Sequence, residues 1–164
     1  MEHSVKNASV RSANRVENSD SPEKAGPVFI SVAIPSHNSE KIIEKTCAAV
    51  IAVLEKDFSG IADFSWEIVI ADDGSTDSTW ETVKKLHSAD KRIKGVKLFR
   101  NIGQQKATIA ALLFAGGEWI VTMDDDLSHD PGFIRSLYDK ASSGYDIVFA
   151  SPAKIDMKPS GNDK

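Results

Sequence analysis

Three short apolar runs, each followed by polar turn residues and then a helical pattern, most constrain the fold of this chain. The runs are Val28 to Ile34, Trp66 to Ala71 and Ile120 to Met123. Short apolar runs of this kind, bounded by turn signals, predict buried strands. Strands that alternate with helices at this spacing predict an α/β fold, with a mainly parallel sheet in a three-layer α/β/α arrangement.

The segments between the strands carry apolar residues at helical spacing, which predicts a helix after each strand. Asn38 or Ser39 is a suitable N-cap for the first helix, which runs to about Asp57. Pro131 fits the first turn of the last helix. The other predicted elements are a helix capped by Asp77 or Ser78, a weak strand over Lys94 to Phe99, a helix over Gln104 to Ala115 and a fifth strand over Asp146 to Ala150.

The length of 164 residues is enough for one domain with its own core. Residues 1–27 are mostly polar, and this composition predicts a disordered tail. We expect the domain to span residues 28–150 and residues 151–164 to form a frayed end. A net charge of −4 argues against a general nucleic-acid surface. The single cysteine, Cys47, lies on the apolar face of the first helix and is expected to be a buried thiol rather than a nucleophile.

The sequence predicts neither a membrane span nor a signal peptide. No apolar run approaches the roughly 18 residues of a membrane span. The N-terminal segment also lacks the apolar stretch of a signal peptide. We therefore expect a cytoplasmic protein, with peripheral contact to the cytoplasmic face of the membrane as an additional expectation.

Acidic residues follow the second and fourth strands, at the edge of a parallel sheet where ligands bind. In an extended segment, alternation places Asp124 and Asp126 on one side and turns Asp125 away. Two carboxylates on one side indicate a hard cation such as Mg²⁺ or Mn²⁺, which binds through a couple of carboxylates plus substrate phosphates. The alternative is a solvated acidic turn, or an aspartate that caps the following helix.

Other polar residues near the same edge each have two interpretations. His37 either stacks on or bonds to a base, or is an exposed loop histidine. Asp73 either accepts from the N–H of a pyrimidine or guanine ring, or forms an Asx turn with Gly74. Lys106 either reaches a phosphate or is a solvated helix lysine. Asp130, with its neighbour His129, either lines the sugar side or caps the last helix.

Several nucleotide-binding motifs are absent from the sequence. The turn after the first strand lacks G-x-G-x-x-G, which disfavours a nicotinamide or flavin enzyme, and no G-x-x-x-x-G-K-[ST] occurs. A phosphoacceptor receiver domain also clusters acids at strand ends. It would require a lysine after the fifth strand, where this chain has Ala150 and Ser151.

Four motifs in order carry a resemblance to a known family. They are V-A-I-P-S-H-N-S-E, E-I-V-I-A-D-D-G-S-T-D-S-T, F-R-N-I-G-Q-Q-K-A and G-E-W-I-V-T-M-D-D-D-L-S-H-D-P. Together they resemble family 2 glycosyltransferases of the GT-A fold, and most of all the enzymes that load a sugar onto dolichyl or undecaprenyl phosphate. The resemblance spans roughly Val28 to Ala150. It implies a nucleotide-sugar donor (a UDP- or GDP-sugar), a divalent cation, an inverting transfer and a polyprenyl-phosphate acceptor.

The resemblance also assigns roles on the side of the nucleobase. Pro35 and His37 match the first donor-binding turn, where the family usually has tyrosine at the position of His37. Asp73 matches the acid at the nucleobase, with Ala71 lining the same pocket. Histidine in place of tyrosine is expected to weaken stacking on the base.

On the metal side, Asp124 and Asp126 match the D-x-D pair that binds the cation and diphosphate, with Asp125 between them where alanine is common. Ser128 stands where the polyprenyl-phosphate enzymes have glutamine, a metal-side contact. The shorter serine changes the metal geometry unless a water fills the gap.

The family continues beyond the fifth strand with acceptor-side elements and, in many members, membrane helices. We expect the chain to be either a fragment of such an enzyme or a short form. No residue is identified as the catalytic base. The alternative function is a non-catalytic module that binds a nucleotide sugar or a partner protein and lacks the acceptor half.

Overall fold

A four-stranded parallel sheet forms the centre of the domain within residues 30–150. The computed structural model describes residues 30–150, so the predictions for the two tails and for Val28 and Phe29 lie outside the described residues. The sheet has the order β3-β2-β1-β4, and every strand pairing is parallel. Its strands are β1 (Ile30–Ser36), β2 (Trp66–Asp72), β3 (Ile93–Lys97) and β4 (Trp119–Thr122).

In the part of the chain that the structure describes, four helices cover the two faces of this sheet. Helices α1, α2 and α4 pack on one face and α3 on the other, which confirms the predicted α/β fold with three layers. The helices are α1 (Ile43–Asp57), α2 (Thr79–Ala89), α3 (Gln104–Phe114) and α4 (Phe133–Ser142). Since α1, α2 and α4 share one face, that side of the sheet carries the larger core.

The two cores differ in the size of their side chains. On the larger side, isoleucines and valines of β1 and β2 pack against large residues such as Leu54 and Phe58. On the α3 side the core is built mainly from alanines, among them Ala33, Ala71 and Ala107, and this brings α3 close to the sheet. Cys47 is fully buried among the larger residues, as predicted.

The predicted fifth strand over Asp146 to Ala150 is wrong. In the structure this segment pairs with no strand of residues 30–150, and the side chains of Ile147 and Phe149 are 71% and 85% exposed. An apolar alternating pattern is compatible with a strand, but a strand also needs a hydrogen-bonded neighbour. Among residues 30–150, nothing pairs with the outer side of β4, which therefore forms the edge of the sheet.

The predicted helix starts are also revised. Helix α1 begins at Ile43 after a turn, so neither Asn38 nor Ser39 supplies a side-chain cap. Asn38 instead adopts a left-handed conformation, with φ of 54°. At α2 the N-cap residue is Ser78, which makes no side-chain cap hydrogen bond. Asp77, the residue before it, accepts hydrogen bonds at Oδ1 from both the N–H and the hydroxyl of Thr79. Helix α4 begins at Phe133, two residues after Pro131.

The helices within residues 30–150 are those of a globular domain. The longest, α1, has 15 residues. None of the helices in this part of the chain combines the length and the hydropathy needed to cross a bilayer.

Candidate functional site

The carboxyl ends of three neighbouring strands bring the predicted site residues to one edge of the sheet. Ser36 of β1 lies in register with Asp72 of β2, and on the other side of β1 the N–H of Met123 donates to Ala33 O at 3.2 Å. The segments that follow β2 and β4 therefore flank the end of β1. Register in a parallel sheet thus places the two acidic clusters on either side of the loop that carries His37.

Asp73 is held by two backbone donors. Its Oδ1 accepts the N–H of Ile102 and its Oδ2 accepts the N–H of Gly103, both at 2.8 Å. The side chain is almost fully buried. Asp73 therefore fixes the loop before α3, a role that neither sequence interpretation anticipated. Each carboxylate oxygen can still accept another hydrogen bond, so contact with a base is compatible with this arrangement.

Gly74 allows the same loop to approach the end of β2. It has a φ of 63°, and a Cβ at this position would lie 2.5 Å from the backbone nitrogen of Asn101. Any side chain would push the loop away and would also be strained at a positive φ. The glycine in D-D-G-S is thus required by the clamp that Asp73 forms.

His37 is an exposed loop residue whose ring orientation is fixed by Asp73 and Asn38. Its Nδ1 lies 2.9 Å from the main-chain oxygen of Asp73, and its Nε2 lies 3.1 Å from Asn38 Nδ2. A carbonyl oxygen only accepts and an amide nitrogen only donates, so this geometry assigns the proton to Nδ1 and leaves Nε2 as an acceptor. The exposed ring therefore lies directly beside the loop of Asp73.

The three acids after β4 do not form an extended segment, so the predicted alternation through them is wrong. Strand β4 ends at Thr122, and Asp125 and Asp126 lie in a turn. Leu127, at φ of 60°, follows this turn. The pairing of β4 with β1 ends at Thr122, opposite Ala33, although β1 itself continues to Ser36 alongside β2.

The contacts of the acids nevertheless separate Asp125 from the other two. Ser39 donates its hydroxyl to Asp125 Oδ2, and Thr46 Oγ1 donates to the main-chain oxygen of Asp125 at 2.6 Å. Asp125 is therefore tied to the start of α1. The side chain of Asp124 instead contacts Gln104, whose Nε2 donates to Oδ1 at 2.6 Å.

Asp126 and Asp124 share a neighbour in His129. His129 Nδ1 lies 3.9 Å from Asp124 Oδ2. The pKa of Asp126 is held below its ordinary value by the backbone N–H and hydroxyl of Ser128, with a smaller contribution from the charge of His129. The exposed Asp126 therefore stays ionised at neutral pH, and Ser128 acts on it as a hydrogen-bond donor.

The donor set fits a cation that takes part of its coordination from a ligand. Among residues 30–150, no group of three or more His, Cys, Asp or Glu side chains is arranged to hold a metal ion. Two carboxylates, Asp124 and Asp126, stand at least partly exposed at the sheet edge. Mg²⁺ typically binds through one or two carboxylates together with waters and substrate phosphates, so two acids are sufficient for such a site.

The other residues predicted for the site lie in the sheet, on the first turn of α3 and in the turn before α4. Pro35 and Ala71 are buried and lie in register on β1 and β2, beneath the loop of His37. Lys106 is exposed on the first turn of α3. Asp130 Oδ1 accepts the N–H of Gly132 at 2.8 Å in the turn before α4, whose N-cap residue is Gly132 and which has no side-chain cap.

Two features of the edge were missed from the sequence. Gln104 contacts Asp124 although the two are 20 positions apart, and only the folded course of the chain reveals the pair. Ser36 Oγ and Asp72 Oδ2 are buried at the ends of β1 and β2 and have no hydrogen-bond partner among the described residues. The position of Asp72 directly after the apolar residues Ile68 to Ala71 was the available signal for a buried carboxylate.

Taken together, the parallel sheet and the acids at its carboxyl edge define an α/β domain of the nucleotide-binding type. The glycosyl transferase family 2 model matches residues 31–164. The chain therefore belongs to glycosyl transferase family 2, as the four sequence motifs predicted.

Relatives at the sequence level are glycosyltransferases. An uncharacterized glycosyltransferase of Synechocystis sp. is 34% identical over 124 residues, which cover 76% of this chain and 37% of the relative. The undecaprenyl-phosphate 4-deoxy-4-formamido-L-arabinose transferase of Salmonella paratyphi A is 36% identical over 120 residues, 73% of this chain and 35% of the relative. The match thus spans little more than a third of the length of these relatives.

Solved structures agree on the fold. S. aureus TarS 1–349 in complex with UDP-GlcNAc superposes with a TM-score of 0.51 at 28% identity, covering 70% of this chain and 30% of TarS. The mannosyltransferase PcManGT from Pyrobaculum calidifontis, solved with GDP-Man and Mn²⁺, gives a TM-score of 0.50 at 24% identity. The match covers 65% of this chain and 31% of PcManGT. The second likeness supports the fold alone.

Proposed function

We propose that this domain binds a nucleotide diphosphate sugar together with Mg²⁺ or Mn²⁺, and that the protein transfers the sugar to a polyprenyl phosphate. The observation that carries the proposal is the position of Asp124 and Asp126. They are carboxylates at the carboxyl edge of β4, on one side of β1, while His37 and Asp73 occupy the ends of β1 and β2. One ligand that spans this edge would meet the base-side residues at one end and the acids at the other.

The residues at the two ends of this edge support a UDP- or GDP-sugar as the donor. At the base side, Asp73 retains acceptor capacity and the ring of His37 is exposed, so a uracil or guanine ring finds an acceptor for its N–H and a surface to contact. TarS, which shares 28% of its aligned residues with this chain, was solved with UDP-GlcNAc. We therefore place a UDP-sugar first and a GDP-sugar second.

The acids at the other end would hold the cation. When bound there, the cation supplies charge neutralisation for the diphosphate leaving group. Asp124 and Asp126 would provide its protein oxygens, and Ser128 would keep Asp126 oriented and ionised. The exposed Lys106, at the start of α3, is available to contact a phosphate oxygen.

A phosphate acceptor suits a site in which we identify no general base. The second pKa of a phosphomonoester is about 6, so its oxygen is largely ionised near neutral pH and attacks the anomeric carbon without prior deprotonation. The new carbon–oxygen bond forms as the bond to the nucleoside diphosphate breaks. The named substrate of the Salmonella relative is undecaprenyl phosphate, which favours a polyprenyl phosphate at the membrane surface as acceptor.

Thermal unfolding and calorimetry test the proposal. UDP, or GDP in a parallel series, should raise the melting temperature in the presence of Mn²⁺ and not in excess EDTA, because ligands that bind only the folded state stabilise it. Equal stabilisation in EDTA would contradict cation-bridged binding. Binding of the donor without transfer to undecaprenyl phosphate would instead support the non-catalytic, nucleotide-sugar-binding alternative.

A further inference from the structure

We propose that Gln104 is a positioning residue that orients Asp124 for the cation and connects it to the clamp formed by Asp73. The inference rests on the proposed function, because it concerns how one of the proposed cation ligands is held. Gln104 itself would touch neither the donor sugar nor the cation. It would act by fixing one oxygen of Asp124, which leaves the other for the cation.

The contact between the two side chains is short and has a defined polarity. Gln104 Nε2 lies 2.6 Å from Asp124 Oδ1. An ionised carboxylate only accepts hydrogen bonds, so the nitrogen rather than the oxygen of the amide must face it. A hydrogen bond to a charged acceptor is stronger than one between neutral groups. This hydrogen bond thereby restrains the rotation of the Asp124 carboxylate about its bond to Cβ.

Gln104 owes its position to the loop before it. Gly103, the residue before α3, has φ of 96° and ψ of 148°, and its N–H is held by Asp73 Oδ2 at 2.8 Å. Helix α3 then packs on the sheet through the buried Ala107 and Ala111. The backbone of Gln104 is consequently held on both sides, by the contact of Asp73 with the preceding Gly103 and by the packed helix that follows.

This arrangement forms a continuous physical connection between the two ends of the proposed donor site. Asp73 at the end of β2 holds Gly103, the adjacent Gln104 holds Asp124, and Asp124 follows β4. The hydrogen bond from the amide holds Oδ1, which favours Oδ2, on the side of His129, as the oxygen for the cation. Partners that hydrogen-bond to metal ligands fix the orientation of those ligands, and their replacement typically weakens metal affinity about 10- to 100-fold.

The test replaces Gln104 by methionine, which has similar length and helix propensity but no N–H donor. Gln105 is exposed on the same turn, so Gln105→Met is a matched control. With UDP or GDP at saturation, titration of MnCl₂ by calorimetry should give a Kd about ten-fold weaker for Gln104→Met and unchanged for Gln105→Met. Gln104→Asn, whose amide is one methylene shorter, should behave like Gln104→Met.

Thermal unfolding of the proteins without nucleotide or Mn²⁺ gives a readout that a general structural defect would alter. The melting temperatures of the wild type and both Gln104 variants should be the same, because Gln104 is exposed. If the wild type binds the nucleotide with Mn²⁺ but Gln104→Met and Gln105→Met have equal Mn²⁺ affinities, the positioning role is wrong and the proposed function stands. If the wild type shows no Mn²⁺-dependent binding of UDP or GDP, the proposed function itself is wrong and the role of Gln104 fails with it.

Discussion

Ser31 and Glu67 share a buried hydrogen bond of 2.7 Å between β1 and β2, on the face of the sheet that α3 covers. The same carboxylate accepts the N–H of Gly116 at 2.6 Å and pairs with Lys94 on β3. Gly117 adds a hydrogen bond from its N–H to Ser31 Oγ. Three strands and the link from α3 to β4 therefore meet at one carboxylate, which is 1% exposed.

We predict that Glu67→Gln lowers the free energy of unfolding by about 1–3 kcal/mol, because it replaces charge-assisted hydrogen bonds in a buried setting. Burial raises the pKa of Glu67, but Lys94 and the donors of Gly116 and Ser31 outweigh it and hold the pKa below its usual 4.5. Since the folded-state pKa is depressed, this stabilisation is present above about pH 4.5 and is lost as the pH falls through the folded value. Urea unfolding at a series of pH values measures both effects.

A glutamate nearby provides the control for this prediction. Glu118 is exposed in the same link between α3 and β4, so Glu118→Gln should leave stability within about 0.5 kcal/mol of the wild type. Below pH 5, the difference in unfolding free energy between the wild type and Glu67→Gln should shrink. A difference that stays constant down to pH 3 would show that the charge of Glu67 does not stabilise the fold.

Gly74→Ala is expected to destabilise the domain by about 2 kcal/mol or more, because an alanine at positive φ is strained and its Cβ would collide with the loop at Arg100 and Asn101. Urea unfolding measures this loss. Gly60→Ala is the matched control, since a Cβ at Gly60 meets nothing within 4 Å. If the two variants were equally stable, the loop before α3 would have to move freely, and Asp73 would not be clamping it.

Cys47 should be unreactive in the native protein. Burial, with a further contribution from the charge of Glu44, raises the pKa of the Cys47 thiol to about 12. At pH 8 only about one thiol in ten thousand would be ionised, and the thiolate is the reactive form. We expect no labelling by 5,5′-dithiobis(2-nitrobenzoic acid) at pH 8 on the time scale of minutes, and complete labelling in 8 M urea. Rapid labelling of the folded protein would indicate that α1 opens readily.

The periodicity of the sequence was sufficient to predict the sheet and its helices, because burial of apolar faces determined both. The inner face of α2, with Trp80 and Val83 buried, follows directly from its spacing. The prediction of a fifth strand was wrong because Ile147 and Phe149 have a strand pattern, but no strand within residues 30–150 pairs with them. Whether a segment pairs with another strand depends on the whole fold, so a local sequence pattern cannot predict it.

The candidate site was predictable in its location and less so in its contacts. Strand ends placed Asp73 and Asp124 at one edge, since the edge follows from parallel topology alone. That Asp73 holds the backbone of Gly103, and that Gln104 meets Asp124, depends on a loop whose course is set by tertiary contacts. The apolar run W-E-I-V-I-A did contain one readable signal, since a glutamate within a buried strand requires partners.

The acids after β4 allow a prediction that compares neighbouring aspartates. Asp126→Asn should abolish Mn²⁺-dependent binding of UDP or GDP, because an amide keeps the shape of the side chain but lacks the charge that holds the cation. Its fold should remain intact, since Asp126 is exposed and an asparagine oxygen can still accept the N–H of Ser128. Apo stability within about 0.5 kcal/mol of the wild type is expected. Calorimetric titration with nucleotide and Mn²⁺, together with thermal unfolding of the apo variants, measures both.

Asp125→Asn is the matched comparison, because Asp125 has the same chemistry but is tied to Ser39 at the start of α1. An asparagine oxygen can still accept the hydroxyl of Ser39, so this variant should fold and should keep most of the Mn²⁺-dependent binding. If instead Asp125→Asn loses binding while Asp126→Asn retains it, the cation uses the other side of the turn. If both bind like the wild type, the acids form a solvated turn, and cation-dependent donor binding by this domain must be abandoned.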